Sequence, residues 1–214
     1  SGHGWTTGRK QDMNGHTFKP QVAVIGGGMI TRDQLLPSLY HLQRLGELDA
    51  ITVCAQSAGT IKQLAGAKDL KESFPGQYFR PVPDPAKDPA ACDPRGYLGV
   101  INQLPSRQIV VIAVPDMMHY EMIMAALNAD QHVLVVKPLV QAYEQAMKIR
   151  SLARERGLFV GVEYHKRFDH RVLLARESYM QGRFGEFRAG EARLIEPFCY
   201  RDSNFQNWFK IDEA

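Results

Sequence analysis

Short runs of uninterrupted apolar residues recur along the chain, separated by stretches with apolar positions three and four apart. Val22 to Ile25 (VAVI), Ile51 to Ala55 (ITVCA), Ile109 to Val114 (IVVIAV) and His132 to Val136 (HVLVV) show no polar alternation, and Phe159 to Val162 begins a fifth such run. Runs of this kind predict strands buried on both faces. Between them Leu35, Leu36, Leu39 and Leu42 fall at helical spacing, as do Met122, Ile123, Ala126 and Leu127. The second set predicts a helix from about Asp116 to Asn128 with Asp116 as N-cap. Ala142, Ala146, Ile149 and Ala153 mark a further helix, closed by Gly157. Strands alternating with helices at this rhythm predict an α/β fold, with right-handed crossovers and a parallel sheet covered by helices on both faces.

Two stretches depart from the rhythm. The segment from Pro81 to Pro94 is too proline-dense for a helix or an interior strand and reads as a long loop inserted at the surface. Around Phe168 the pattern changes in kind: a helix is expected from His170 to Met180, ending at Gly182, and Glu186 to Leu194 (EFRAGEARL) alternates as a half-exposed strand would. The chain therefore divides into a polar, glycine-rich flexible arm over 1–18, a parallel α/β domain over 19–163, and the beginning of an α+β domain over 164–214.

Composition narrows the function classes. With 214 residues and 44% hydrophobic content, there is material for one complete domain and part of another. The net charge is only +3 and acidic residues interleave with the basic ones, so a nucleic-acid groove is not expected. Cys54, Cys92 and Cys199 are far apart and odd in number, which argues against a zinc site or a disulfide framework and makes a reducing, cytoplasmic setting the default. No apolar run approaches a membrane span or a signal core.

The chemistry is carried by the strand ends. Gly26-Gly27-Gly28-Met29-Ile30-Thr31 lies between the first strand and its helix, as a dinucleotide-binding turn does. Gly26 permits the tight turn and Gly28 lets the backbone approach a pyrophosphate, with Met29 and Ile30 opening the helix whose N-terminus faces it. Thr31 stands where the pattern has its third glycine. After the second strand, neither the acid that reads the NAD ribose nor the arginine that marks NADP is present. Gln56 and Ser57 stand there instead, able to bond either ribose form, and they also fit an ordinary polar loop. Pro115 and Pro138 end two strands at the edge where open α/β sheets bind ligands, although termination alone accounts for a proline in such a place. His119, in the first turn of a helix, suits a packing role as well as a functional one. Lys137 is delivered by its strand to that edge, where an ammonium can donate to a substrate hydroxyl and partial burial shifts its pKa.

Together the glycine turn, the Val114-to-His119 run (VPDMMH), the His132-to-Leu139 run (HVLVVKPL) and Tyr164 to Asp169 (YHKRFD) resemble the glucose-fructose oxidoreductase and inositol dehydrogenase family (Gfo/Idh/MocA), from about Gln21 onward. The resemblance implies a Rossmann-type doubly wound parallel sheet followed by a substrate domain, with NAD or NADP as cofactor. Lys137 matches the lysine of the family's Glu-Lys-Pro motif, between nicotinamide and substrate hydroxyl. Val114, Pro115 and His119 match positions beside the nicotinamide ribose, and His165 and Arg167 match residues facing the cofactor and active site. Val136 replaces the motif's usual glutamate, and Thr31 is expected to shift its helix slightly from the diphosphate.

The implied reaction is hydride transfer between nicotinamide and a sugar or polyol carbon. Lys137 and His165 are the catalytic candidates, and a further acid–base group lies in the second domain, beyond Lys210. The implied partners are a small sugar or polyol, not nucleic acid or membrane, and, when the protein is full length, a second copy through the C-terminal sheet. The chain is expected to be a fragment, a truncation or a shortened product. Two other readings stay open: a redox-neutral glycosidase of the same family type, and a dinucleotide-binding sensor or interaction protein that does not catalyse.

Overall fold

The structure is a computed structural model that describes residues 18–195 and 197. The arm expected over 1–18 lies outside these residues except for Phe18, as does Cys199. The chain forms two units, one ending at Glu163 and the other beginning at Tyr164.

In the first unit, the five expected apolar runs all become strands: β1 (Val22–Ile25), β2 (Ile51–Cys54), β4 (Ile109–Ile112), β5 (His132–Val136) and β6 (Val160–Glu163). A further short strand, β3 (Arg80–Val82), overlaps the start of the stretch whose composition suggested only a loop. It pairs with β2 alone and sits at the sheet edge, where Pro81 costs no ladder bond on the open side. All pairings are parallel and the order is β3-β2-β1-β4-β5-β6. That order reverses between β1 and β4, which opens a crevice at the carboxyl ends of those strands.

Helices α1 (Leu36–Arg44), α2 (Ala58–Ala65), α3 (Lys68–Ser73), α4 (Gly96–Gln103), α5 (His119–Asn128) and α6 (Tyr143–Arg156) complete the unit. Met122, Ile123, Ala126 and Leu127 of α5 are buried on one sheet face with Ile112, Val133 and Val135. Burying a side chain such as Ile123 or Leu127 contributes about 1.5–3 kcal/mol. The opposite face packs Leu35, Leu36 and Tyr40 against Val22, Val24 and Val53. Leu42, expected on that face, is exposed, because the register of α1 brings Tyr40 inward in its place. Asp116 does not cap α5: it opens a single 3-10 turn (Asp116–Met118), and no side chain accepts from that turn or from the helix start. Gly157 closes α6 as expected, with φ of 60°.

At the amino ends of the strands, the side chains of two buried glutamines satisfy surrounding backbone groups. Gln108 Oε1 accepts from Gln21 N–H at 2.7 Å, and Gln131 Oε1 accepts from Gln108 N–H at 2.8 Å. This edge is closed by structural hydrogen bonds. The chemistry-bearing residues collect at the other edge.

In the second unit, a 3-10 turn (His165–Phe168) precedes α7 (His170–Met180), whose N-cap Asp169 accepts from Arg171 N–H at 2.9 Å. The strand expected over Glu186–Leu194 is not formed: these residues are exposed and make no ladder among the described residues. Alternation predicts which face a strand would bury, but a strand forms only with a partner to take its backbone bonds.

Candidate functional site

The glycine turn is shaped by backbone contacts. Gly26 has φ of 115°, and a Cβ there would lie 1.9 Å from the Ala113 carbonyl oxygen, so only glycine fits. Its N–H donates to Cys54 O at 2.7 Å, which seats the turn between β1 and β2. Gly27, to which sequence reasoning assigned no role, is constrained as well: a Cβ would meet Thr60 Cγ2 at 2.9 Å and Ala55 Cβ at 3.0 Å. At Gly28 a Cβ would meet nothing within 4 Å among the described residues, so the space above this backbone is open to a ligand group. Met29 is exposed beside it, and Ile30 packs against the core.

Thr31 explains how a residue larger than glycine is accommodated. Its side chain is fully buried, and its hydroxyl donates to Gly26 O at 2.7 Å. The backbone from Thr31 to Leu35 winds as a π-turn, with Leu36 N–H donating to Thr31 O. A wider turn makes room for the branched side chain at the point of closest approach.

At the end of β2, Ala55 is buried and offers no polar group to a ribose. Gln56 is exposed. Ser57 is the N-cap of α2: its Oγ accepts from Thr60 N–H at 3.2 Å and lies 2.9 Å from Thr60 Oγ1. Its hydroxyl is thus engaged in capping, which accounts for serine at this position independently of any cofactor.

Between β4 and β5 the structure corrects one expectation. His119 is fully buried, with Nδ1 2.8 Å from Pro138 O and Nε2 2.9 Å from Val114 O. The ring has no exposed atom with which to touch a ribose. It ties the segment after β4 to the segment after β5, and its tautomer decides which carbonyl receives the hydrogen. The burial follows from α5 beginning at His119 and turning its first residue under the strand ends. His119→Phe is expected to cost about 2–3 kcal/mol of stability by leaving buried carbonyl groups without their partner, read as a lower urea midpoint.

Val114 is half-buried and Pro115 exposed. Val136 is buried, and Lys137 follows it as an exposed residue at the carboxyl end of β5, with a cis peptide to Pro138. The partial burial expected for Lys137 is not seen: the strand delivers the side chain clear of the sheet. Val136 pairs in register with Glu163 of β6. Residues paired in parallel strands direct side chains to the same face, so a carboxylate-bearing residue stands one strand away from the position where the motif's glutamate is missing. Strand pairing, which the linear pattern does not specify, is what reveals Glu163.

Gly26, Gly28, Met29, Ile30, Gln56, Ser57, Val114, Pro115 and Lys137 thus all lie at the carboxyl edge of one sheet. A cleft of about 460 Å³ beside the glycine turn is lined by Gly28, Met29 and Thr60. His165 and Arg167 belong to the second unit, where both are exposed and the Arg167 guanidinium lies 5.8 Å from the Tyr164 ring centroid. Among the described residues no group of three or more His, Cys, Asp or Glu is placed to hold a metal ion, and no helix is long and apolar enough to cross a membrane.

A parallel sheet in this order, with a glycine turn that is open at Gly28 beside the switch point, defines a dinucleotide-binding Rossmann domain. Residues 21–164 match the family described as "Oxidoreductase family, NAD-binding Rossmann fold" (Gfo/Idh/MocA), and the chain belongs to that family. It is 34% identical over 188 residues to an uncharacterized oxidoreductase of Synechocystis, covering 88% of this chain and 44% of that protein. It is 27% identical over 175 residues to D-glucoside 3-dehydrogenase of Escherichia coli, covering 82% of this chain and 43% of that enzyme. The fold is shared with a 3-ketoreductase from Actinomadura kijaniata solved with NADP and TDP-benzene, at a TM-score of 0.58 and 22% identity over 77% of this chain and 43% of that one. The chain spans less than half the length of these relatives.

Proposed function

We propose that the chain is the cofactor-binding part of an NAD(P)-dependent oxidoreductase that moves a hydride between nicotinamide and a hydroxyl-bearing carbon of a sugar or polyol. The observation that carries this reading is that the open turn at Gly28 and the exposed Lys137 occupy one carboxyl edge. They follow β1 and β5, strands that stand two spacings apart with β4 between, about 10 Å across the sheet. The residues fit the group. Gly26 to Gly28 and the helix start at Met29 would hold the pyrophosphate through backbone N–H groups, and Val114 and Pro115 would flank the nicotinamide ribose. The bound cofactor would supply the hydride acceptor or donor.

The remaining work falls to the chain's own groups. Lys137 donates to the substrate oxygen and stabilises the negative charge that grows on it. Glu163 brings a carboxylate-bearing residue to the strand beside Val136, in register with it. Tyr164 onward is read as the beginning of the substrate domain, to which His165 and Arg167 belong. The named sugar-type relative supports the substrate class, and so does scyllo-inositol 2-dehydrogenase (NADP(+)) of Bacillus subtilis, 28% identical over 82 residues that cover 38% of this chain.

The test is calorimetric titration of the folded chain with NAD+ and NADP+. Saturable binding of at least one is expected, weakened by Gly28→Val, which fills the space above the turn. Heat of dilution alone with both dinucleotides would remove the reading.

A further inference from the structure

The segment between β3 and α4 packs onto the carboxyl end of β2. Asp93 N–H donates to Gln56 O at 2.8 Å, and Ser57 and Cys92 form an antiparallel bridge. The same segment takes up the first N–H groups of α2: Ala58 donates to Ala91 O at 3.2 Å and Gly59 to Pro89 O at 3.1 Å. Thr60 N–H is already bonded to Ser57 Oγ. This helix start adjoins the glycine turn, since Thr60 is the residue a Cβ on Gly27 would strike. Cations, or N–H groups still free at a helix start, are what would hold a 2′-phosphate there. The first three N–H groups of α2 already have acceptors, and of the two cations that line the cleft beside the glycine turn, Arg32 and Lys68, Arg32 is paired with Asp69 at 2.8 Å.

The segment also brings a charge. In dinucleotide folds the acid that reads the ribose hydroxyls lies about 20 residues after the glycine turn, at the end of the second strand. Here that strand ends in Ala55, and the carboxylate arrives from Asp93. Asp93 Oδ1 accepts from Arg95 N–H at 3.0 Å, which orients the group and leaves lone pairs on both oxygens. Asp93 lines a cavity of about 710 Å³ in which Asp84 and Asp93 outnumber Lys87. Its charge reaches the strand end: burial first, and the Asp93 carboxylate second, push the Cys54 thiol up to about 11.

We propose that Asp93 is the ribose-reading acid of this chain. It accepts from the adenosine ribose hydroxyls, while its charge and the carbonyls of Pro89 and Ala91 exclude a 2′-phosphate, so that NAD is preferred over NADP. The proposal rests on the dinucleotide-binding reading above and adds the choice between the two cofactors.

The experiment is titration of the 214-residue chain with NAD+ and NADP+, repeated on Asp93→Asn and Asp84→Asn, with thermal melting as a control for folding. Asparagine keeps an acceptor for Arg95 N–H, so the loop is retained while the charge is removed. The parent is expected to bind NAD+ at least about ten-fold more tightly than NADP+. Asp93→Asn should lower that ratio by about five-fold or more, through weaker NAD+ and stronger NADP+ binding, whereas Asp84→Asn should change it by less than about two-fold. Equal affinities or an NADP+ preference in the parent overturn the proposal and leave the dinucleotide reading standing. An unchanged ratio in Asp93→Asn, or an equal change in Asp84→Asn, does the same. Failure of both dinucleotides to bind removes both readings together.

Discussion

Gly26→Ala is expected to lower the free energy of unfolding by about 4 kcal/mol or more, the range reached when backbone strain and a hard clash coincide. At φ of 115° an alanine is strained whatever the space around it, and here its Cβ would sit 1.9 Å from the Ala113 carbonyl oxygen and 2.7 Å from its carbon. Both atoms are backbone in the segment that continues β4, so they cannot rotate away. Relief requires β1 and β4 to separate where Ala113 N–H donates to Ile25 O at 2.8 Å. Urea denaturation followed by circular dichroism reads the effect. Gly28→Ala is the control, since its Cβ meets nothing and the loss of stability should stay within about 1 kcal/mol. Equal midpoints for parent and Gly26→Ala would mean that the turn does not have this geometry.

On the proposed reading, Lys137→Ala is expected to reduce kcat/KM for oxidation of a polyol substrate by about 10²–10³-fold, the usual cost of removing one donor to a developing oxyanion. Dinucleotide affinity and thermal stability should change little, because the side chain is exposed and Val136, which anchors the end of β5, is untouched. Lys137→Arg should not rescue turnover, since a planar guanidinium cannot replace a point donor at a single oxygen. The measurement is nicotinamide absorbance during steady-state turnover beside a calorimetric Kd for the cofactor. Turnover that survives Lys137→Ala would remove the role given to Lys137, whereas absence of turnover in the parent would point to a dinucleotide-binding protein that does not catalyse, the reading that Val136 in the glutamate position favours.

Much of this site is legible in the linear pattern, and the exceptions share a cause. Gly26 and Gly28 announce themselves because a turn between a strand and a helix restricts the residue types it tolerates. Lys137 does so because one charge after an unbroken apolar run has a single sensible destination. His119 is different: its spacing places it at the start of α5, but whether the ring looks up at a ligand or down between carbonyls depends on how α5 and β5 pack. Thr31 is a mismatch to the glycine pattern until its hydroxyl is seen bonded to Gly26 O and the π-turn beside it. Glu163 and Asp93 are far in sequence from the positions they adjoin, and only pairing and loop packing bring them there.

Apolar runs and helical spacing, read alone, determined the parallel α/β class, the five principal strands, the buried face of α5 and the edge that carries the chemistry. These follow from local periodicity, because burial on two faces or on one leaves its mark within a few neighbouring residues. Tertiary structure alone decided the edge strand at Arg80–Val82, the buried His119 bridge, the pairing of Val136 with Glu163 and the placing of Asp93 beside Gln56. Each depends on hydrogen bonds between residues distant in the chain, which no local pattern encodes. The unformed strand at Glu186–Leu194 makes the same point from the other side: alternation prepares a face, and a neighbouring backbone is what turns it into sheet.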